Sequence, residues 1–437
     1  MAFLPFLIAL LFWAAVPQPT EEQIQTLLRD AHGSVRLPAG TIELRRGLTL
    51  PDGTHDLDIS GNKTTLRASS HFHGRALMAC RACRNLTLHN LSIDGNRQAN
   101  QRAVALPSSN QTFAASFDNN GLLFEGGDTL TVSSVRFSNI PGFAVLVNSA
   151  TNVTLRDLTV ESSGGLNSLA RNNTTGGILL EEGAAHWQVI DSHFRDISGN
   201  AVWTHSRAGS PRAAHGLIAR NHFDTIARDA IQIGHATDVQ VLSNTGSRIG
   251  WPVSVIDVEA RAVPVAIDTA GNVDSSIYRD NRFEEIDGKC IDLDGFHDGS
   301  VLHNLCVNHG TAADYPWGQF GIVMNNSAPE MQSCNISIIG NTIDGAVYGG
   351  IFIIGTGHRI IGNELHRLNL AHSNDPKHLL DSGIYLAAGA ARPAPATNNR
   401  IEHNSISGFH MRAHCLVYAP GISAAKNHVE GNRCADE

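Results

Sequence analysis

The chain has 437 residues, 41 of them acidic and 32 basic, for a net charge of −9. Charged residues make up 17%, below the ~25% of an ordinary globular chain, and there are 41 glycines. That balance, with no run of Lys or Arg, excludes an electrostatic grip on nucleic acid and suits many short strands joined by tight turns.

In chain order the first feature is an apolar run over residues 3–16, FLPFLIALLFWAAV. It is too short to span a bilayer and matches the apolar region of a secretory signal, although no Lys or Arg precedes it and no clean A-x-A site follows. Residues 1–19 are therefore expected to be a signal peptide, 20–437 a single solenoid domain, and the mature protein secreted or periplasmic without stable membrane insertion. The plainer alternative is an apolar N-terminal cap. The segment TEEQIQTLLRDA (20–31) predicts a helix capped by Thr20, with Ile24, Leu27 and Leu28 on one apolar face. It would cover the open edge of the solenoid that begins with SVRLPAGTIELRRGLTLPDGTHDLDISGNKTTLRA (34–68).

From there a repeat with a period of slightly more than ~20 residues dominates. Short apolar strands read FAVLVN (143–148), GILLEE (177–182), AVWTHS (201–206), AIQIGH (230–235), CIDLDG (290–295), GIVMNN (321–326), GIFIIG (350–355), GIYLAA (383–388) and HCLVYA (414–419). Each is followed by a second strand ending in Asn, as in DVQVLSN, NISIIGN and NHVEGN. One coil cannot bury its apolar positions alone, so neighbours must stack, and Asn at matching turns can hydrogen-bond coil to coil. The fold class is accordingly all-β: a single-stranded right-handed parallel β-helix with a short N-terminal capping helix. A capping helix, then V-x-L-P-A-G-T-I-x-L, then Asn-terminated coils resembles the pectate lyase-like superfamily over nearly the whole chain. That resemblance implies carbohydrate chemistry, but the superfamily includes hydrolases, lyases, epimerases and binding proteins. The complete catalytic signature of a polygalacturonase or of a classical pectate lyase is absent from the sequence.

Seven cysteines leave at least one unpaired. Cys80-x-x-Cys83 lacks a partner pair for zinc, so a local disulfide is the alternative. Cys290 and Cys415, at strand starts, read as buried interior thiols.

Stacked strands bring outward residues into columns ~4.8 Å apart. One strand is missing between Asn244 and Asn281, and counting places it at VIDVEA (255–260). Asp257 then neighbours Asp292, and Glu259 neighbours Asp294. The first column runs Val145, Leu179, Trp203, Gln232, Asp257, Asp292, Val323, Phe352, Tyr385 and Leu416. The second runs Val147, Glu181, His205, Gly234, Glu259, Asp294, Asn325, Ile354, Ala387 and Tyr418. Asp268 is assigned to the loop after this strand.

Four carboxylates in a patch of roughly 5 by 7 Å cannot all ionise freely, and one protonated carboxyl beside one ionised is what glycoside hydrolysis uses. Asp292, Asp294, Asp257 and Glu259 are the catalytic candidates. His205, His235, Glu181, Trp203, Asn325, His297, Asp268, Phe352 and Tyr385 are expected to bind substrate, with outward aromatics as a sugar-stacking platform. A solvated acidic ladder, and cover of the aromatics by a long loop, are the plainer readings.

The leading expectation is a glycoside hydrolase acting on a poly- or oligosaccharide, without cofactor or bound metal. A lyase or epimerase on a uronic-acid polymer is the runner-up. It calls for Ca²⁺ and a base, with Lys289 and Arg392 available. A non-enzymatic carbohydrate-binding surface solenoid is the third. Sugar, linkage and oligomeric state are not readable from the sequence.

Overall fold

The computed structural model describes residues 18–102, 107–108, 111–257 and 263–437. The apolar run 3–16 and Glu259 lie outside them. Strands from Gly33–Arg36 to Arg433–Asp436 pair in parallel throughout, and over most of the chain each pairs with the strand three places later. Each coil therefore contributes one strand to each of three parallel faces, and the chain winds as a right-handed β-helix. No described helix is long and apolar enough to cross a membrane.

The interior is filled by the alternating apolar positions. Phe194 and Phe223 stack at 5.1 Å between ring centroids on adjacent coils, and Phe223 and Phe283 at 6.2 Å across the intervening coil, where the position is Gly246. The turn asparagines form a continuous file, Asn221, Asn244, Asn281, Asn304, Asn341, Asn363, Asn404 and Asn432. Each side-chain amide donates to the next carboxamide oxygen at 2.8–3.0 Å. The same amides also donate to backbone carbonyls of the coil before, so these buried turns leave no polar atom of the side chain wasted.

The helix Glu21–Arg29 closes the N-terminal end. Thr20 and Gln23 form a reciprocal capping box, and the Glu21 carboxylate accepts the backbone N–H groups of Arg45, Arg46 and Gly47. Ile24 and Leu28 are buried, but Leu27 is 40% exposed, because an i, i+4 pair is enough to seat a two-turn helix on a coil edge.

Cys290 is bonded to Cys306, Cys415 to Cys434 and Cys80 to Cys83. Cys290 and Cys415 are thus not free interior thiols; each ties a first-face strand to a third-face strand. Cys334 is the free cysteine.

Candidate active site

The first face carries the strands Ile178–Glu181, Val202–His205, Ile231–Ile233, Val265–Asp274, Lys289–His297, Ile322–Asn325, Ile351–Ile353 and Ile384–Leu386. The strand missing from the repeat is Val265–Asp274, and it corrects the expected register. Gln232 pairs with Asp268, and Asp268 pairs with Asp292. Asp257 sits instead in the preceding insertion, where Asn167 donates to its carboxylate at 3.1 Å and its N–H donates to Asn172. The cause is coil length. Asn244 and Asn281 are 37 residues apart, whereas Asn221 and Asn244 are 23 apart. A count based on the regular coil stops inside the insertion. Both VIDV and AIDT alternate correctly and both Ile256 and Ile267 are buried, but only Ile267 lies on a strand paired with the neighbouring coils.

The column is therefore Gln232, Asp268, Asp292, Val323, Phe352, Tyr385. At its ends the expected register also slips: Leu146, not Val145, lies beside Leu179, and Val417, not Leu416, beside Tyr385. Tyr418 pairs with Leu386 and so does not share the face of Tyr385.

Around Asp268 and Asp292 is a cleft of about 190 Å³, lined also by Arg228, Asp229, Lys289 and Asp294. Asn200 donates to Gln232 at 2.6 Å, and Gln232 donates to Asp268 at 2.7 Å, so a fixed amide chain orients the Asp268 carboxyl. Lys289 forms an ion pair with Asp292, whose other oxygen, Oδ1, is buried without a hydrogen bond. Asp229 accepts the Val265 N–H at 3.0 Å and lies 3.6 Å from the Arg228 guanidinium.

These environments separate the acids electrically. Burial, then the charges of Asp229 and Asp292, holds Asp268 well above the usual carboxylate range. Burial also raises Asp292, but Lys289 opposes that shift, through charge and through its hydrogen bond. Burial pushes Asp229 up to about 6 against the pull of Arg228. For Lys289, burial favours the neutral amine, yet the Asp292 carboxylate more than offsets it and keeps the ammonium charged. Lys289 is thus a held cation and not the free base considered for a lyase.

The other expected site residues divide. Asp294 lies at the cleft rim, opposite Ala270 and next to Asn325 in register, and accepts the Ser327 N–H at 3.0 Å and its hydroxyl at 2.7 Å. It shapes the following loop. Asn325 holds the same loop by accepting the Asn326 N–H. Phe352 and Tyr385 stack at 5.6 Å and 10° between planes, with Phe320 6.3 Å from Phe352. Tyr385 itself is buried, so the accessible part of this aromatic file is Phe320, Phe352 and Tyr348.

Trp203, Glu181 and His205 belong elsewhere. The short helix Phe113–Ser116 lies over this part of the face, and Trp203 packs beneath it with Phe113 and Phe143. Glu181 is fully buried and accepts the N–H groups of Phe113 and Ala114 and the Asn148 amide. It pins the helix and has no access to a ligand. His205 lies 5.2 Å from Phe113 and Trp203, and burial pushes it down to about 4. His235 is half-buried against Gly271, and burial lowers it. His297 is turned away at the corner after Gly295, between Asp298 and Asn272. Arg392 donates to the Ala328 carbonyl in a loop.

Asp229 escaped the sequence reading, and the direction of Lys289 was not legible. Both align with Val265, two residues ahead of Ile231 and Ile291. Period-2 alternation gives that slot inward parity, so an ionisable residue there was the available signal.

A family model described as a right handed beta helix region matches residues 176–365, which include the whole cleft. No curated protein sequence matches the chain. Among solved structures, the surface adhesin PfbA of Streptococcus pneumoniae is similar with a TM-score of 0.60 and 17% identity, over 80% of this chain and 88% of its own. The catalytic domain of a GH87 alpha-1,3-glucanase in complex with nigerose gives 0.55 and 12%, over 96% and 68%. The A-module of the Azotobacter vinelandii mannuronan C-5 epimerase AlgE4 gives 0.54 and 12%, over 92% and 95%. At such identities the likeness is one of fold. With its three parallel faces, its Asn file and a family model that matches its central coils, the chain has the right-handed parallel β-helix fold.

Proposed function

We propose that the protein is an extracytoplasmic carbohydrate-active enzyme that hydrolyses glycosidic bonds, with Asp268 and Asp292 as the working pair. The observation that carries this is the adjacency of two buried carboxyls in one open cleft, one of them tied to a lysine. Asp268 is the acid: burial and the neighbouring carboxylates favour its protonated form, and it gives that proton to the leaving glycosidic oxygen. Asp292, kept anionic by Lys289, faces the anomeric carbon or its attacking water. Phe352 and Phe320, further along the same face, form the sugar-stacking wall. Three disulfides favour an oxidising compartment, in keeping with export. Among the similar structures, the glucanase was solved with nigerose.

Purified protein incubated with a panel of neutral and acidic polysaccharides, with and without EDTA, tests the reading. New reducing ends without unsaturated products are expected, and they should vanish in Asp268→Asn. Unsaturated uronides would instead establish a lyase, and binding without turnover on any member of the panel would establish a carbohydrate-binding solenoid.

A further inference from the structure

Three coils beyond Asp292, roughly 15 Å along the same face, a second constellation has no part in the proposed hydrolysis. It comprises His378, in the insertion before the strand Ile384–Leu386, Asp381 at the end of that insertion, and His414 just before the strand Leu416–Tyr418. We propose that these three residues form a binding site for a first-row divalent transition ion of the Zn²⁺ type.

Geometry is the first argument. Nδ1 of His378 stands 3.4 Å from either oxygen of Asp381, and Nδ1 of His414 stands 3.3 Å from Oδ2. Charge-assisted N–H···O bonds close to ~2.7–2.9 Å. Ligand atoms held at ~2.0–2.1 Å from a tetrahedral ion are necessarily separated by about 3.3 Å. The donors here are spaced for an ion between them rather than for a hydrogen bond.

Unmet valence is the second. The Asp381 side chain is fully buried, yet its Oδ1 makes no hydrogen bond, and neither does Nδ1 of His414. An uncompensated buried carboxylate costs several kcal/mol and is retained where a cation completes it. Two other described clusters have comparable composition, but their carboxylates or ring nitrogens are already paired, Nδ1 of His205 in the first excepted. Glu181 accepts two backbone N–H groups beside Glu182, which is paired with Arg207. His297 is bonded at both ring nitrogens, beside Asp298 and Cys334.

The donor set selects the ion. Two imidazoles and one carboxylate suit Zn²⁺ and its neighbours, whereas Ca²⁺ requires six or more oxygens. Three protein ligands leave a position open, which water completes. The ion would staple the 369–383 insertion to the last coils, beside the Cys415–Cys434 bond.

The test uses the full chain without an affinity tag, stripped by chelator, and titrated with Zn²⁺ alone, Co²⁺ alone and Ca²⁺ alone. One equivalent of Zn²⁺ should bind, and the Co²⁺ form should show the visible absorption of a four-coordinate site. His378→Ala and His414→Ala should each weaken Zn²⁺ binding at least 100-fold, while His297→Ala should not change it. His378 is nearly half exposed, so its variant keeps the fold. Absence of stoichiometric Zn²⁺ binding, or binding retained in both variants, overturns the proposal, as does competition by millimolar Ca²⁺.

Discussion

Two parts of the first face bury carboxylates, and they do so in opposite ways. Toward the N-terminus Glu181 is sealed under the helix Phe113–Ser116 and meets two backbone N–H groups and an amide. At the centre Asp268, Asp292 and Asp229 crowd one open cleft with two cations and one oriented amide. Burial alone therefore does not mark a catalytic acid. Burial raises Glu181 as well, but its three donors oppose that shift, whereas Asp268 faces other carboxylates that add to it.

The largest expected effect is on turnover. Asp268→Asn and Asp292→Asn should each lower kcat by about 1,000-fold or more, in line with removal of a general acid or its partner; the urea midpoint should be unchanged or raised in Asp268→Asn, where repulsion is relieved, and lowered in Asp292→Asn, which takes away the partner of Lys289. Full activity in both variants would place the chemistry outside this cleft. Glu181→Ala should show the reverse profile. It strands two buried N–H groups and should cost about 2–4 kcal/mol of stability in urea titration, with kcat per folded molecule retained. Loss of activity without loss of stability would make Glu181 part of the machinery and erase the contrast.

The pH dependence sharpens it. Activity should need Asp292 ionised and Asp268 protonated, giving a bell. Lys289 lowers both acids, so Lys289→Met should move both limbs of the kcat profile to higher pH. An unmoved profile would mean that Lys289 does not set these acids. Stability should carry the same signature. Asp229 and Asp268 hold protons in the folded state that the unfolded chain releases near pH 4, so their contribution is full below that and is lost as pH rises through about 6 and beyond. His205 acts oppositely: burial pushes it to about 4, and its contribution, full above 6.5, is lost as pH falls toward 4. Between about pH 4 and 6 the His205 gain offsets only one of the two acid losses, so these groups together make stability fall as pH rises, and Asp268→Asn should flatten that fall in urea titrations. The smallest effect is expected at the aromatic wall, where Phe352→Ala should weaken oligosaccharide binding by about 1 kcal/mol, read as KM with kcat little changed.

Much of this molecule is local in origin. Period-2 alternation, turn asparagines and a capped leading helix each follow from short stretches of chain. They were enough to predict the stacked coils, the Asn file and the acids at 292 and 294, because every coil repeats the same solution to burying one side of a strand. Three matters were settled only in three dimensions. Insertion lengths shifted the register, so that Asp268 and not Asp257 stands beside Asp292; alternation cannot distinguish two equally patterned strands without the neighbour that one of them packs against. Loop trajectories covered Trp203 and Glu181, because a helix contributed from residues 113–116 crosses a face that repeats nearly a hundred residues later. And His414 joins His378 and Asp381 from the next coil, which no spacing along the chain announces, since stacking converts a gap of a whole coil into a single strand separation.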